Sequence, residues 1–340
     1  MYKRQGDDHL TNRELPYYYW QQYYTLMSNY GSYASYFIDT STPFDQQMCM
    51  FDDTRTWQQY FLQAAITNYE NVTAIWQEAR LAGFQLSQED QDYLDELDGQ
   101  ITVAAASYSY GSADEYLQMA YGPAATLTSY HAFVERQITA SAYLQVLVDE
   151  KPYTEDDISK YYDDNADSYA GNGIEKSDVK MVNVRHILIQ PEGKNDDGTY
   201  TDEAWAEAEK KANDLLTEWQ NGEHTEDSFA FMAAENSQDP GSVENGGLYE
   251  DIYPGKMVDE FDAWCFDPAR QPGDTGIVKT SYGYHIMYFS STGEHAYWYV
   301  RAEEDYLNEL SVSVLQEVAA KFEATESEQN AAIVDIMQQN

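Results

Sequence analysis

Residues 179–190 read VKMVNVRHILIQ, a run in which β-branched and other apolar side chains predominate. Polar segments flank this run on both sides, so it predicts a buried β-strand. After it, the pattern predicts two helices, a short strand, a third helix and two closing strands, at 201–222, 225–237, 247–250, 257–263, 276–280 and 282–289. This order predicts an α+β domain in which helices cover a small antiparallel sheet.

The sequence before this strand shows a different pattern, in which the apolar residues recur at helical spacing. Helices are predicted over 16–37, 56–82 and about 124–149, with further helices that begin after Ser87 and Thr154. Many of the side chains in this part are aromatic. We interpret them as core residues, and an exposed aromatic cradle for unfolded polypeptides is the alternative interpretation.

These patterns divide the chain into three segments. Residues 1–175 are expected to form a nearly all-helical domain, and residues 176–293 the α+β domain. Residues 294–340 are expected to form a helical segment that returns to the first domain. Within it, apolar residues at helical spacing predict an amphipathic helix over 303–323.

Composition excludes several classes of protein. Sixty acidic residues against 19 basic ones give a formal net charge of −41. Such a polyanion repels phosphate backbones and anionic lipid, which argues against nucleic-acid binding. No run of about 18 apolar residues is present, so no segment is predicted to span a membrane. Cys49 and Cys265 lie far apart in the sequence, and we expect two buried free thiols in preference to one disulfide.

Two histidines, His186 and His285, stand within predicted strands of one small sheet. Burying an imidazole ring costs free energy unless it is hydrogen-bonded, so the pair suggests a shared site. Asp239 lies in the loop SQDPGS and could point at them. These residue types leave three readings open: a metal site of two histidines and one aspartate, a hydrolytic acid/base site, or a hydrogen-bonded pair that lines a dry pocket.

Four ordered motifs resemble the parvulin family of peptidyl-prolyl cis/trans isomerases. They are VRHILI at 184–189, NSQDPGSVENGG at 236–247, GKMVDEFD at 255–262 and GIVKTSYGYHI at 276–286. The resemblance covers about residues 180–290. It implies proline isomerisation without a covalent intermediate, with no metal and no other cofactor.

The resemblance also implies roles for individual residues. His186 and His285 match the two histidines of the parvulin sheet, and Asp239 matches a position where the family has aspartate or cysteine. These three are the expected catalytic residues. The expected substrate-binding residues are the apolar ones that hold the proline ring and the hydroxyl beside the histidines: Leu248, Met257, Phe261 and Thr280.

Two departures from the family pattern bear on activity. The family often has GGDLG where this chain has GGLYE at 246–250, which leaves the course of the turn after Gly247 open. After VRHIL, the loop QPEGKNDDG lacks the cluster of basic residues with which phosphate-directed parvulins read phosphoserine-proline. A preference for phosphorylated substrates is therefore not expected.

A helical domain, a parvulin domain and a returning helix together resemble the PrsA- and SurA-like foldases of bacterial envelopes. This resemblance implies an extracytoplasmic foldase whose clients are unfolded or secreted polypeptides that contain proline. It also implies a membrane anchor, which we expect to be missing from the sequence as given. The long helices are compatible with a homodimer. The alternatives are a holdase chaperone whose parvulin domain is only a scaffold, and a metal-dependent hydrolase that uses the two histidines.

Overall fold

The computed structural model describes residues 3–5, 8–193, 199–322 and 324–326. The chain divides into two compact units. The first consists of Met1–Pro152 together with Leu307–Asn340, and the second is Tyr153–Tyr306.

The first unit is mostly helical, as predicted. Its helices before residue 152 are α1 (Leu15–Tyr30), α2 (Trp57–Ala82), α3 (Gln88–Ser107), α4 (Ala113–Tyr121) and α5 (Leu127–Asp149), with a 3₁₀ helix at Gly31–Tyr36. Its short strands in the same part are β1 (Lys3–Gln5), β2 (Asp8–His9), β3 (Met48–Cys49) and β4 (Asp52–Thr56). The hairpin of β3 and β4 was not predicted from the sequence pattern.

Capping residues set the helix boundaries of this unit. The Thr56 hydroxyl accepts a hydrogen bond from the backbone N–H of Gln59 at the start of α2, and Gly83, with a φ of 69°, ends that helix. Ser87 caps α3 as predicted, and this helix extends over 20 residues. The helix predicted from about residue 124 begins at Leu127, because the capping residue is Thr126.

The tyrosine-rich face of α1 forms much of the core of the first unit. Residues 17–20 are buried against aromatic rings of α2 and α5, including Phe61 and Phe133. The rings of Tyr18 and Phe133 meet edge to face, with centroids 4.9 Å apart and an interplanar angle of 88°. The interpretation as core residues is therefore confirmed for these side chains of α1, whereas Tyr33 and Tyr36, further along the tyrosine-rich stretch, are exposed.

The second unit contains the predicted α+β domain. Its helices are α6 (Glu155–Asp164), α7 (Ala166–Gly171), α8 (Asp202–Asn221), α9 (Glu226–Asn236) and α10 (Asp259–Cys265). Its strands are β5 (Lys180–Ile189), β6 (Leu248–Ile252), β7 (Thr275–Lys279) and β8 (Tyr284–Ala296). They form one antiparallel sheet in the order β6-β5-β8-β7, which confirms the predicted fold class.

The two faces of this sheet contact different helices. Ile187 and Ile189 of β5 lie on the face that packs against α8 and α9. Val184 of β5 and Met287 of β8 lie on the opposite face, with Phe261 of α10. Because side chains alternate along a strand, His186 shares the α10 face with Val184.

The strand β8 continues past the predicted residue 289 to Ala296, and the last helix, α11 (Tyr297–Ala319), follows it directly and thus begins before the predicted residue 303. This helix is followed by β9 (Ala324–Glu326), which pairs with β1. The helix belongs to the second unit up to Tyr306 and to the first unit from Leu307.

The observed unit boundaries therefore differ from the predicted ones at 175 and 293. The physical reason is a small core between α6, α7 and the first turns of α11, formed by Ile158, Tyr162, Tyr169, Tyr299 and Ala302. This core places α6, α7 and the first turns of α11 in the same unit as the sheet.

Cys49 and Cys265 are both buried and unbonded, as expected. Burial raises the pKa of the Cys265 thiol to about 12, so this residue is a protonated core side chain at neutral pH. Among the helices of the described residues, none combines the length and the apolar composition that crossing a bilayer requires.

Candidate active site

The sheet brings the two histidines into contact. His186 of β5 pairs with Met287 of β8, and His285 pairs with Leu188, so the histidines are diagonal neighbours on the α10 face. Both side chains are buried. Their Nδ1 atoms lie 3.0 Å apart, and their ring planes differ by 20°. The hydrogen-bonded pair is the one of the three readings that this geometry favours.

The loop after α9 brings Asp239 to the other side of the His186 ring. Asp239 Oδ2 lies 3.0 Å from His186 Nε2, and the Ser242 hydroxyl donates to the same oxygen at 2.5 Å. The loop is tied to β5, because Ser237 Oγ accepts the backbone N–H of Leu188 at 3.1 Å. The carboxylate is thus fixed relative to the sheet.

When both histidines are neutral, their hydrogen-bond partners determine which ring nitrogen donates and which accepts. A carboxylate can only accept, so Nε2 of His186 donates to Asp239 and its Nδ1 accepts from Nδ1–H of His285. Nε2 of His285 then accepts from Thr280 Oγ1 at 2.9 Å. The Thr280 oxygen in turn accepts the backbone N–H of Tyr282 at 3.1 Å. Each imidazole nitrogen therefore has a partner.

The pKa shifts of Asp239 and His285 agree with this hydrogen-bond arrangement. The hydrogen bond from His186, with further ones from Ser242 and Tyr249, holds the pKa of Asp239 well below its usual range. Burial, with a smaller contribution from His186, lowers the pKa of His285 to about 4. The site thus combines an ionised carboxylate with a histidine that stays neutral at physiological pH.

The lowered pKa of His285 predicts a pH dependence of stability. Between its ordinary value of 6.5 and about 4, the unfolded chain binds a proton at this residue that the folded protein excludes. Stability should therefore fall as the pH drops through this window, by up to about 3 kcal/mol at 1.36 kcal/mol per unit. An NMR titration of the His285 Hε1 signal would contradict this account if its midpoint lay near 6.5.

Apolar side chains enclose the histidine pair. The ring of Phe261 in α10 lies edge-on to both imidazoles, with centroids 5.4 Å from each. Met257 packs on the same cluster and is only partly buried. Six of the seven predicted site residues are thus on this side of the domain: His186, Asp239, Met257, Phe261, Thr280 and His285.

Leu248 is the predicted substrate-binding residue that the structure does not bring to this place. It pairs with Arg185 across β6 and β5, so its side chain lies on the face opposite His186. Tyr249 pairs with Val184 instead and faces the site, and its ring centroid is 5.2 Å from that of His186. The pocket wall predicted at Leu248 is therefore provided by Tyr249, one residue later.

The structure also adds Ser242, which the sequence argument missed although it lies within the motif NSQDPGSVENGG. Its buried hydroxyl contacts both Asp239 and His186.

The arrangement does not support a metal site of two histidines and one aspartate, since Asp239 and His285 lie on opposite sides of the His186 ring. These three side chains therefore do not converge on one point.

Comparison with known proteins gives a match over this domain. Residues 172–291 match the family model described as the PPIC-type PPIASE domain. The "Foldase protein PrsA 1" of Listeria innocua is 31% identical over 106 residues, which are 31% of this chain and 29% of that protein. The "Foldase protein PrsA" of a Geobacillus species is 44% identical over 80 residues, 23% of this chain and 27% of the relative.

The "Chaperone SurA" of Pseudomonas savastanoi is 35% identical over 107 residues, 31% of this chain and 22% of that protein. The chain thus spans less than a third of the length of each of these relatives. Among solved structures, PrsA from Bacillus subtilis aligns with a TM-score of 0.35 and 18% identity, over 82% of this chain and 93% of that one. Residues 172–291 therefore match the PPIC-type, or parvulin, family of peptidyl-prolyl isomerase domains, and the proteins they resemble include foldases named PrsA and a chaperone named SurA.

Proposed function

We propose that this protein is a foldase that catalyses cis/trans isomerisation of X-Pro bonds in unfolded or secreted polypeptides. The observation that carries the proposal is the buried, hydrogen-bonded pair of His186 and His285 enclosed by Met257 and Phe261. The pair lies within a segment that matches the PPIC-type domain. No nucleophile and no metal enters this chemistry.

The reaction is rotation about a bond with partial double-bond character, whose barrier is roughly 18–20 kcal/mol. At the transition state the amide is twisted and its resonance is lost, so the carbonyl is less polar than in the planar ground state. Water solvates the planar form better than the twisted one. A dry pocket that binds the twisted form more tightly therefore lowers the barrier, and each 1.36 kcal/mol of this preference is a factor of ten in rate.

The site residues divide this task. Met257 and Phe261, together with the ring of Tyr249, hold the proline ring and exclude water. His186 and His285 form a rigid floor, because each ring is fixed at both nitrogens. Asp239 keeps His186 protonated at Nε2 and thereby gives the pair a single hydrogen-bond direction.

The charge of the protein predicts its substrate preference. In the two segments that carry Tyr249 and Phe261, Glu250, Asp251, Asp259 and Glu260 are exposed acidic residues. We expect kcat/KM for a phosphoserine-proline peptide to be roughly fivefold or more below that for the unphosphorylated peptide, since about 1 kcal/mol of repulsion has this effect. Exchange NMR on the two peptides measures the ratio, and faster turnover of the phosphorylated one would contradict the proposal.

We further propose that the protein works outside the cytoplasm, in the envelope of a bacterium. The support is the names of its relatives, the PrsA foldases and a SurA chaperone. Its clients would then be polypeptides that fold after export. Membrane attachment and a homodimer stay predictions from the resemblance and the long helices.

A holdase chaperone is the second candidate, and one observation favours it. Several of the exposed apolar side chains of the first unit lie in the 3₁₀ helix Gly31–Tyr36 and in the hairpin of β3 and β4: Tyr33, Tyr36, Met48, Met50 and Phe51. Exposed methionine and aromatic side chains suit a surface that binds varied apolar segments. Under this hypothesis the isomerase domain would act as a scaffold.

A further inference from the structure

Tyr249 occupies a position that the sequence argument did not assign to the site. Its side chain extends from β6 to the α10 face of the sheet, where its ring packs on His186 at an interplanar angle of 30°. Its hydroxyl donates to Asp239 Oδ2 at 3.0 Å. The tyrosine therefore contacts both members of the His186–Asp239 pair.

Asp239 Oδ2 is held from three directions. His186 reaches it from β5, Ser242 from the loop of Asp239 itself, and Tyr249 from β6. Of these donors, Tyr249 connects the loop to a strand that carries no other polar contact to the carboxylate. Three donors on one oxygen restrict rotation of the carboxylate and favour its ionised form.

The backbone near Asp239 leaves room for this hydroxyl. A Cβ atom at Gly241 would lie 2.6 Å from Tyr249 Oη, closer than van der Waals contact allows. Glycine at 241 is thus required for the tyrosine hydroxyl to reach the carboxylate.

We propose that Tyr249 is a positioning residue for the isomerase site: its hydroxyl orients Asp239, and Asp239 holds His186 in the Nε2–H tautomer. The expected effect of Tyr249 on kcat rests on the proposed function, whereas its expected effect on the tautomer of His186 does not. Without the hydroxyl, the carboxylate can rotate and its bond to His186 lengthens. The hydrogen-bond chain through His285 to Thr280 then loses its single direction.

The test is Tyr249→Phe, which keeps the ring in the pocket wall and removes only the hydroxyl. We expect kcat to fall roughly tenfold with KM within about twofold, because about 1.4 kcal/mol is lost from transition-state stabilisation while the apolar wall is retained. The matched control is Tyr288→Phe, which removes a hydroxyl from a tyrosine on the opposite face of the same sheet. Its kcat should equal that of the wild type.

A double-mutant cycle shows whether Tyr249 acts through Asp239. If it does, Tyr249→Phe should cause no further loss of kcat in an Asp239→Asn background. Equal losses in both backgrounds, or an unchanged kcat in the single variant, would overturn the proposal.

A long-range ¹H–¹⁵N spectrum of the histidine rings gives a readout that does not depend on activity. The wild type should show His186 protonated at Nε2, and Tyr249→Phe should show a mixture of tautomers. If the wild type is inactive but its tautomer responds in this way, the positioning role stands and the proposed isomerase function fails. An unchanged His186 spectrum in the variant would refute the positioning role.

Discussion

Replacing Gly247 by alanine is expected to destabilise the isomerase domain by about 3 kcal/mol or more, which combines left-handed strain with a lost backbone hydrogen bond and a steric clash. Gly247 has a φ of 75°, and its carbonyl accepts the backbone N–H of His186 at 2.8 Å. A Cβ atom there would lie 2.3 Å from the carbonyl oxygen of His186. The backbone of β5 would have to move at His186, so the proposed isomerase activity should fall as well.

Gly255→Ala is the matched control for this prediction. Gly255 also has a positive φ, 87°, but no atom lies within 4 Å of a Cβ built on it. The Gly255→Ala substitution should therefore lower the free energy of unfolding only by the backbone strain, about 1–2 kcal/mol. Urea unfolding followed through amide signals of β5 and β8 measures both variants, and equal losses would contradict the close approach at Gly247.

The second large effect concerns the histidine pair. His186→Phe and His285→Phe should each destabilise the domain by about 2–3 kcal/mol, because each leaves a buried ring nitrogen of the partner without its hydrogen bond. The double variant removes both polar rings at once. We therefore expect its loss to be smaller than the sum of the single losses by about 1 kcal/mol or more.

The coupling is measured by urea unfolding of the four proteins of the cycle. A second cycle, His186→Phe with Phe231→Ala, serves as the control, since Phe231 is exposed on α9, which packs on the other face of the sheet. That pair should be additive within about 0.5 kcal/mol. Additivity in the histidine cycle would show that the hydrogen bond between the rings contributes nothing.

The sequence predicted the architecture of the second unit because local signals were strong there. The run at 179–190 and the strands predicted after it form one small antiparallel sheet, as expected. The unit boundaries could not be predicted, because they depend on where α6 and α7 pack. Their contacts with Tyr299 and Ala302 join segments that lie far apart along the chain.

Site prediction failed where strand register decides the outcome. The motif places an apolar residue after Gly247, but a side chain's face depends on its pairing partner, and Leu248 pairs with Arg185. A shift of one residue exchanges the two faces of a strand, and sequence spacing alone does not reveal it. The histidines were predicted correctly to lie together, since each sits in a strongly apolar strand.

The most direct test of the central claim is prolyl isomerisation of a short unphosphorylated X-Pro peptide, followed by exchange NMR. The wild type is compared with Met257→Ala and Asp239→Ala, and with Phe231→Ala as a control outside the site. We predict acceleration by the wild type and the control, and a loss of roughly tenfold or more in the two site variants, since about 1.4 kcal/mol of transition-state binding is a factor of ten. A well-folded wild type that gives no acceleration would contradict the isomerase assignment and favour the holdase.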